Sequence, residues 1–374
     1  MILFLNFAPL AFYGGAERWM DELAAAMSSR EPVRIMSVDR SIADIYGRIV
    51  LGRRFDSRTT FAENTDTLTR TSLTLWHFLP FSPAWFRARK AFREARLVYL
   101  KFEIQELAIA WWFGGPGVFK RTIAGLHSPF LYADPRTFLD RLHKLVYESR
   151  VCRVVLSRMA KIHVLNRRDE RFLKEDFGLD RVYLVPNGIE LAGKTFSSRR
   201  DDGPLRVLFV GELTRRKGLD ILIRVIENAP SRFLFSLAGD GPFKGEVLEL
   251  TARKKNSAYL GYLERKGLEA AYHDHDVFLF PSRAEGMGLV ILEAIYYGLT
   301  VVDSRHVALD LPDYAERVSP GDDARSYLRI LTDLENRMEE VRANRKKIHE
   351  FCARTFAQEK VRVQLINTLF SDEG

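Results

Sequence analysis

Short apolar runs alternate along the chain with longer stretches of helical periodicity. The runs occupy residues 2–7, 33–38, 161–165, 182–185, 206–210, 233–238, 277–280 and 300–302. Several are continuously apolar, as strands buried on both faces are. Such alternation predicts βαβ units and parallel sheets, with right-handed crossovers placing helices on both faces. The pattern breaks at residues 191–204, LAGKTFSSRRDDGP, which are small, polar and charged and close on Gly-Pro. The predicted fold is therefore α/β, with two Rossmann-like doubly wound domains facing a central cleft. Residues 1–190 form the first domain, 191–204 the linker and 205–350 the second. Residues 351–374 are expected to form a C-terminal helix packing back on the first domain. In such a fold the strand C-terminal ends meet at the cleft, where ligands bind.

At 374 residues the chain can bury sizeable cores without staples. Its two cysteines, Cys152 and Cys352, are too few for a disulfide framework or a zinc ribbon. They suggest a reduced, cytoplasmic setting. No run approaches the ~20 apolar residues of a membrane span, and residues 1–10 lack the basic start of a signal peptide. Charge is unevenly placed. Residues 1–190 hold 29 Lys and Arg against 21 Asp and Glu, whereas the rest of the chain holds 28 of each. The first half should meet something anionic, or else simply carries a solubilising surface.

Four segments could carry chemistry. In 280–293, FPSRAEGMGLVILE, a buried strand runs into a glycine-bearing loop and then a helix starting near Gly288. Gly286 and Gly288 allow close backbone approach, and a helix start suits an anion such as phosphate. Glu285 and Glu293 flank this loop. They fit acceptors for sugar hydroxyls, and equally a capping acid and a solvated helix glutamate. In 207–218, a strand ends at Gly211 and Arg215, Arg216 and Lys217 follow before a helix from Gly218 to Ile226. Those cations suit a diphosphate clamp or a solvated basic turn. Gly14 and Gly15 lie between the first strand and a helix from Ala16, another anion-cradling position. His127 ends an apolar run and precedes Ser128-Pro129, where it can reach a substrate or serve the structure.

Together these residues resemble the retaining glycosyltransferases of the GT-B fold that share an E-(seven residues)-E motif. The resemblance covers nearly the whole chain. It rests on GGAER near the start, VYLVPNGIE before the linker, VGELTRRKGLDILI, LAGDGP, YLGYL and EGMGLVILEAIYYG, in that order. It implies that Glu285, His127 and Lys217 form the catalytic set. Glu285 would hold donor-sugar hydroxyls, and His127 would contact the donor sugar near the reacting carbon. Lys217, with Arg215 and Arg216, would grip the diphosphate. Met287, Gly288 and Leu289 would offer it backbone amides, Glu293 would bind the ribose, and Tyr262 and Leu263 would flank the base. Gly15 and Gly241 belong to loops on the donor side. The expected partners are a UDP- or GDP-sugar and a glycan or lipid-linked acceptor. No cofactor, metal or nucleic acid is expected.

Two departures from the family pattern matter. Glu212 stands where the family often has an arginine, and the family's later glycine-rich loop is poorly kept in residues 303–310. Asp274-His-Asp276 resembles an Asp-x-Asp metal motif but runs into an apolar strand, and reads as a helix end and turn. On the acceptor side, Trp85, Ala88, Phe92, Ala95 and Tyr99 fall at helical spacing. Arg87, Arg89, Lys90, Arg93 and Arg96 cover the remaining faces against a single Glu94. This predicts a basic amphipathic helix, lying either on an anionic bilayer or on the sheet. Nucleotide-sugar epimerases and phosphorylases share the fold and remain alternatives. A nucleic-acid binder is a third reading, opposed by the absence of a recognition motif.

Overall fold

The structure is a computed structural model. It describes residues 1–7, 15–50, 65–127, 138–190, 196, 203–283, 285–304, 315–318 and 323–371. Residues 8–14, most of 191–202 and residues 305–310, which include three of the loops discussed above, lie outside the described residues.

Two parallel sheets are present. The first contains β1 (Ile2–Leu5), β2 (Val33–Val38), β3 (Leu68–Leu73), β4 (Leu97–Lys101), β5 (Thr122–Leu126), β6 (Lys161–Val164) and β7 (Val182–Leu184), in the order β3-β2-β1-β4-β5-β6-β7. The second contains β8 (Arg206–Val210), β9 (Leu234–Ala238), β10 (Ser257–Gly261), β11 (Val277–Phe280), β12 (Thr300–Ser304) and β13 (Ala315–Val318), in the order β10-β9-β8-β11-β12-β13. The strands β1, β5, β11 and β12 are buried along their whole length; β1 and β11 are apolar throughout, whereas β12 also buries Thr300, Asp303 and Ser304. The strand order reverses between β1 and β4 in the first sheet and between β8 and β11 in the second. Such a reversal opens a crevice at the strand ends.

The end of the chain returns to the first sheet. Helix Met338–Phe356 is followed at Ile189 and Ala357 by a parallel bridge, in which Ile189 N–H donates to Phe356 O and Gln358 N–H donates to Ile189 O. Val361, Leu365, Ile366, Leu369 and Phe370 then pack with Ile2, Phe4, Ile35 and Tyr99 in one core cluster.

One sequence expectation is corrected here. The helix drawn through Tyr99 is Pro83–Glu94, capped by the Ser82 hydroxyl, which accepts from Trp85 N–H. Ala95 is its C-terminal cap, and the β-branched and aromatic residues beyond it extend as β4. The helical spacing is real as far as Phe92, since Ala84, Ala88, Ala91 and Phe92 are buried. Tyr99 shares that spacing by coincidence and lies on the sheet. Arg96 is likewise not on the helix: it pairs with Glu31 beside the first strand.

Candidate active site in the cleft between the domains

The basic turn after β8 and the loop after β11 lie against each other. Gly218 makes this possible. It has φ +79°, and a Cβ there would sit 2.0 Å from Pro281 O. The two segments are then joined. Arg283 N–H donates to Arg216 O (2.8 Å), and the Arg283 guanidinium grips Asp220 through two bonds of 2.7 and 2.9 Å. Lys217 is thereby carried to Glu285. Its Nζ lies 2.5 Å from Glu285 Oε1, which also accepts from Ser282 Oγ at 2.8 Å. Arg216 approaches the same oxygen at 3.5 Å and Glu212 at 3.6 Å. Burial lowers the Lys217 pKa, and Glu285 pulls the other way. A charged lysine in such a place needs a permanent anionic partner.

Of the three cations, two converge. Arg215 does not join them. Asp220 lies 3.8 Å away and draws its exposed guanidinium outward. Glu212, standing where the resembled family often has arginine, is met by Arg216, so the local charge is shared within one turn.

Gly288 opens helix Leu289–Tyr296 at φ +46°, a left-handed conformation that a side chain would strain. Met287 before it is buried. Glu293, one turn into the helix, accepts from Tyr272 Oη at 3.0 Å. Glu293, Leu289, Tyr262 and Leu263 line a cleft of about 470 Å³, faced from the first domain by Trp19, Asn187 and Gly188. Lys217 and Glu285 are not part of that lining. Gly241 also lies outside it: at φ +153°, its missing side chain lets the loop after β9 close on Leu213 O. Gly15 is the first residue of helix Gly15–Ser28.

The first domain touches the loop directly. Asn166 caps the helix after β6 by accepting from Asp169 N–H (2.8 Å), and its Nδ2 donates to Gly286 O at 2.9 Å. Asn187 N–H donates to Met287 Sδ at 2.7 Å. The sequence reading missed Asn166, although Asn-x-x-Asp before a helix is a readable capping signal.

His127 lies at the end of β5, partly exposed, with the Trp19 ring centroid 4.4 Å from its own. Its Nε2 is 2.7 Å from Tyr99 Oη, which is 2.8 Å from His163 Nδ1, and His163 Nε2 is 2.8 Å from Val185 O. Burial holds His127 well below the usual histidine range, with His163 adding to the effect, and pushes His163 down to about 4. Both rings are neutral near pH 7. Neither Tyr99 nor His163 was marked as a site residue by the sequence: Tyr99 reads as part of a helical stripe and His163 as an ordinary strand residue.

Asp274 caps the end of helix Arg265–His273, as a helix end and turn should. Asp276 accepts from Arg206 N–H and from the Arg342 guanidinium. No cluster of potential metal ligands occurs among the described residues.

Residues 204–334 match the family described as glycosyl transferases group 1. A stretch of 117 residues is 38% identical to the sulfoquinovosyl transferase SQD2 of Arabidopsis thaliana, covering 31% of this chain and 22% of that protein. The chain spans less than half the length of this and the other curated relatives it matches. Over 99% of its length it superposes on 98% of a sucrose-phosphate synthase of Thermosynechococcus elongatus, with TM-score 0.75 and 18% identity. HepE of Anabaena, solved with UDP and glucose, gives TM-score 0.70 at 16% identity, with 99% of each chain covered. The stretch that carries Lys217, Glu285 and Glu293 thus matches the glycosyl transferases group 1 family, and the chain as a whole has the GT-B fold.

Proposed function

We propose that the protein is a retaining, metal-independent glycosyltransferase that moves a sugar from a nucleoside diphosphate sugar to a glycan or lipid-linked acceptor. The observation that carries this reading is the Lys217–Glu285 pair at the strand-order reversal of the second sheet. Lys217 and Arg216 supply positive charge for a leaving diphosphate. Fixed cations and backbone amides in a dry cleft stabilise that charge as a metal does elsewhere. Glu285 is preplaced, by Ser282 and Lys217, to accept sugar hydroxyls. Glu293 would take the ribose, with Tyr262 and Leu263 at the base. HepE binding UDP and glucose on the same fold supports a UDP-sugar as the first donor to try.

The test is a thermal-shift panel of nucleotides and nucleotide sugars, followed by UDP or GDP release with candidate acceptors in excess chelator. Stabilisation by one nucleoside diphosphate and its sugar, with acceptor-dependent release of the α-linked product from an α-linked donor, is expected. Turnover without acceptor, giving an epimerised sugar, favours the epimerase reading. Loss of turnover in chelator that Mg²⁺ restores refutes metal independence.

A bilayer is the second proposed partner, and a specific surface favours it. Phe86, Lys90 and Arg93 lie on one exposed face of helix Pro83–Glu94, at i, i+4 and i+7. Beside them Trp76 is 70% and Phe81 78% exposed, and Phe81 holds φ +69°, a strained value for an aromatic residue. No helix among the described residues is long and apolar enough to cross a membrane. Basic and aromatic groups together suit the interface of an anionic bilayer. Sedimentation with phosphatidylglycerol-containing vesicles, but not with phosphatidylcholine alone, is expected. Charge reversal at Arg87, Lys90 and Arg93 should release the protein. Equal sedimentation with both lipids, or none with either, refutes the partner.

A further inference from the structure

Tyr99 and His163 form a hydrogen-bonded chain whose proton positions are fixed from one end. Val185 O is a carbonyl and can only accept, so His163 Nε2 carries a proton and donates to it. His163 is neutral, so its Nδ1 is a bare lone pair and accepts the Tyr99 hydroxyl proton. Burial holds Tyr99 well above the usual phenol range, so that hydroxyl keeps its single proton. With that proton committed to His163, Tyr99 Oη faces His127 as an acceptor, and His127 Nε2 must donate.

We infer that Tyr99 and His163 are positioning residues that lock His127 in the Nε2–H tautomer and leave its Nδ1 as an acceptor for a ligand hydroxyl. Among the described residues no hydrogen-bond donor meets Nδ1. Identifying that hydroxyl as one of the donor sugar's rests on the proposed transferase function; the tautomer does not.

Two independent features fit this role. Gly125 clears the space: a Cβ there would lie 2.2 Å from Tyr99 Oη and 2.8 Å from His127 Nε2. Gly125 lies within β5 and has no positive φ, so conformation does not demand a glycine there. The Tyr99 ring is also clamped, by Phe4, Trp19 and Phe370 at centroid distances of 5.6, 5.7 and 5.9 Å. A neutral histidine offering a lone pair discriminates differently from an imidazolium. Its lone pair accepts a hydrogen bond from a hydroxyl, and it offers no positive charge to the diphosphate.

The test is a long-range ¹H–¹⁵N correlation spectrum of the ¹⁵N-histidine-labelled full chain near neutral pH, with His127 assigned by His127→Asn. A single Nε2–H tautomer is expected. In Tyr99→Phe both tautomers should appear. Gly125→Ala, which displaces the Tyr99 hydroxyl, should do the same. UDP affinity should stay within about twofold, while UDP release from a UDP-sugar turned over by the wild type falls about tenfold, the equivalent of one hydrogen bond. A wild-type Nδ1–H tautomer overturns the inference, and that spectrum decides even if a variant fails to fold. An unchanged tautomer in folded Tyr99→Phe also overturns it. If the wild type turns over no nucleotide sugar, the transferase reading fails and the spectrum still judges the lock.

Discussion

The two domains place different chemistry at equivalent points of their sheets. At the reversal between β8 and β11 the second domain sets charge against charge: Lys217 and Arg216 on Glu285. At the reversal between β1 and β4 the first domain buries polar groups, and burial outweighs the one cation, Lys101, that acts on Glu106. Asn6 follows β1 with neither side-chain amide atom bonded among the described residues, and Glu106 lies in the first turn of the helix after β4. Glu106 accepts from Phe7 N–H at 2.8 Å, and burial pushes its pKa up to about 7. Nearby, the histidine and tyrosine chain is held neutral. Under the proposed function, the charged site would meet the diphosphate and the neutral one the hydroxyls.

The comparison can be broken most severely at Glu285. Its replacement by alanine should reduce turnover by ~100-fold or more, comparable to losing a well-placed transition-state hydrogen bond. The melting temperature should also fall, because the buried Lys217 loses its anionic partner, so turnover is compared per folded molecule. Wild-type turnover in the folded variant removes Glu285 from the mechanism.

Glu106 sharpens the other side. Its folded pKa is raised from 4.5 to about 7, so between these values the native state holds a proton that the unfolded state has lost. Stability should therefore fall as pH rises through that window and level off above it, by about 3 kcal/mol in total. Glu106→Gln should remove this slope. The measurement is the difference in urea-unfolding free energy between wild type and variant at several pH values. Taking the difference cancels His163, whose lowered pKa gives the opposite slope between about 4 and its usual 6.5. Parallel wild-type and variant profiles refute the assignment.

Lys217→Ala should weaken nucleoside diphosphate binding by ~10–150-fold, the worth of one charge-assisted contact. Binding of the bare nucleoside should barely change. Equal weakening of both would make Lys217 structural. The smallest effect is expected at Arg215, which faces Asp220. Arg215→Ala should leave diphosphate affinity within about twofold by titration calorimetry, unlike the neighbouring lysine.

The sheets were legible because most of their inner strands carry apolar runs. β2, β8 and β11 follow their apolar runs from end to end. β3 was not legible: its sequence, LTRTSL, is mostly polar and lies at the edge of the sheet. β4 was hidden because its Tyr99 fell in phase with the preceding helix. In the site, the glycines and charges of the second domain announced themselves through loop chemistry. The partners of His127 did not, since Tyr99 and His163 come together only through the pairing of β4, β5 and β6. Adjacency across strands leaves no trace in local spacing. Arg215 was overestimated for a related reason: three consecutive cations look alike in sequence, and only the fold shows which one meets Asp220.

Phe370 against Tyr99 has a consequence for biosynthesis. The first domain emerges from the ribosome first, and domains generally fold in that order. Yet the cluster over Ile2, Phe4 and Tyr99 is completed by residues 361–370, which are made only after the second domain. Until they arrive, that face of the sheet stays uncovered and the ring that orders His127 lacks one of its clamps. The nascent chain must therefore carry an exposed apolar face throughout synthesis of the second domain, and the His127 site matures only once residues 361–370 have been made.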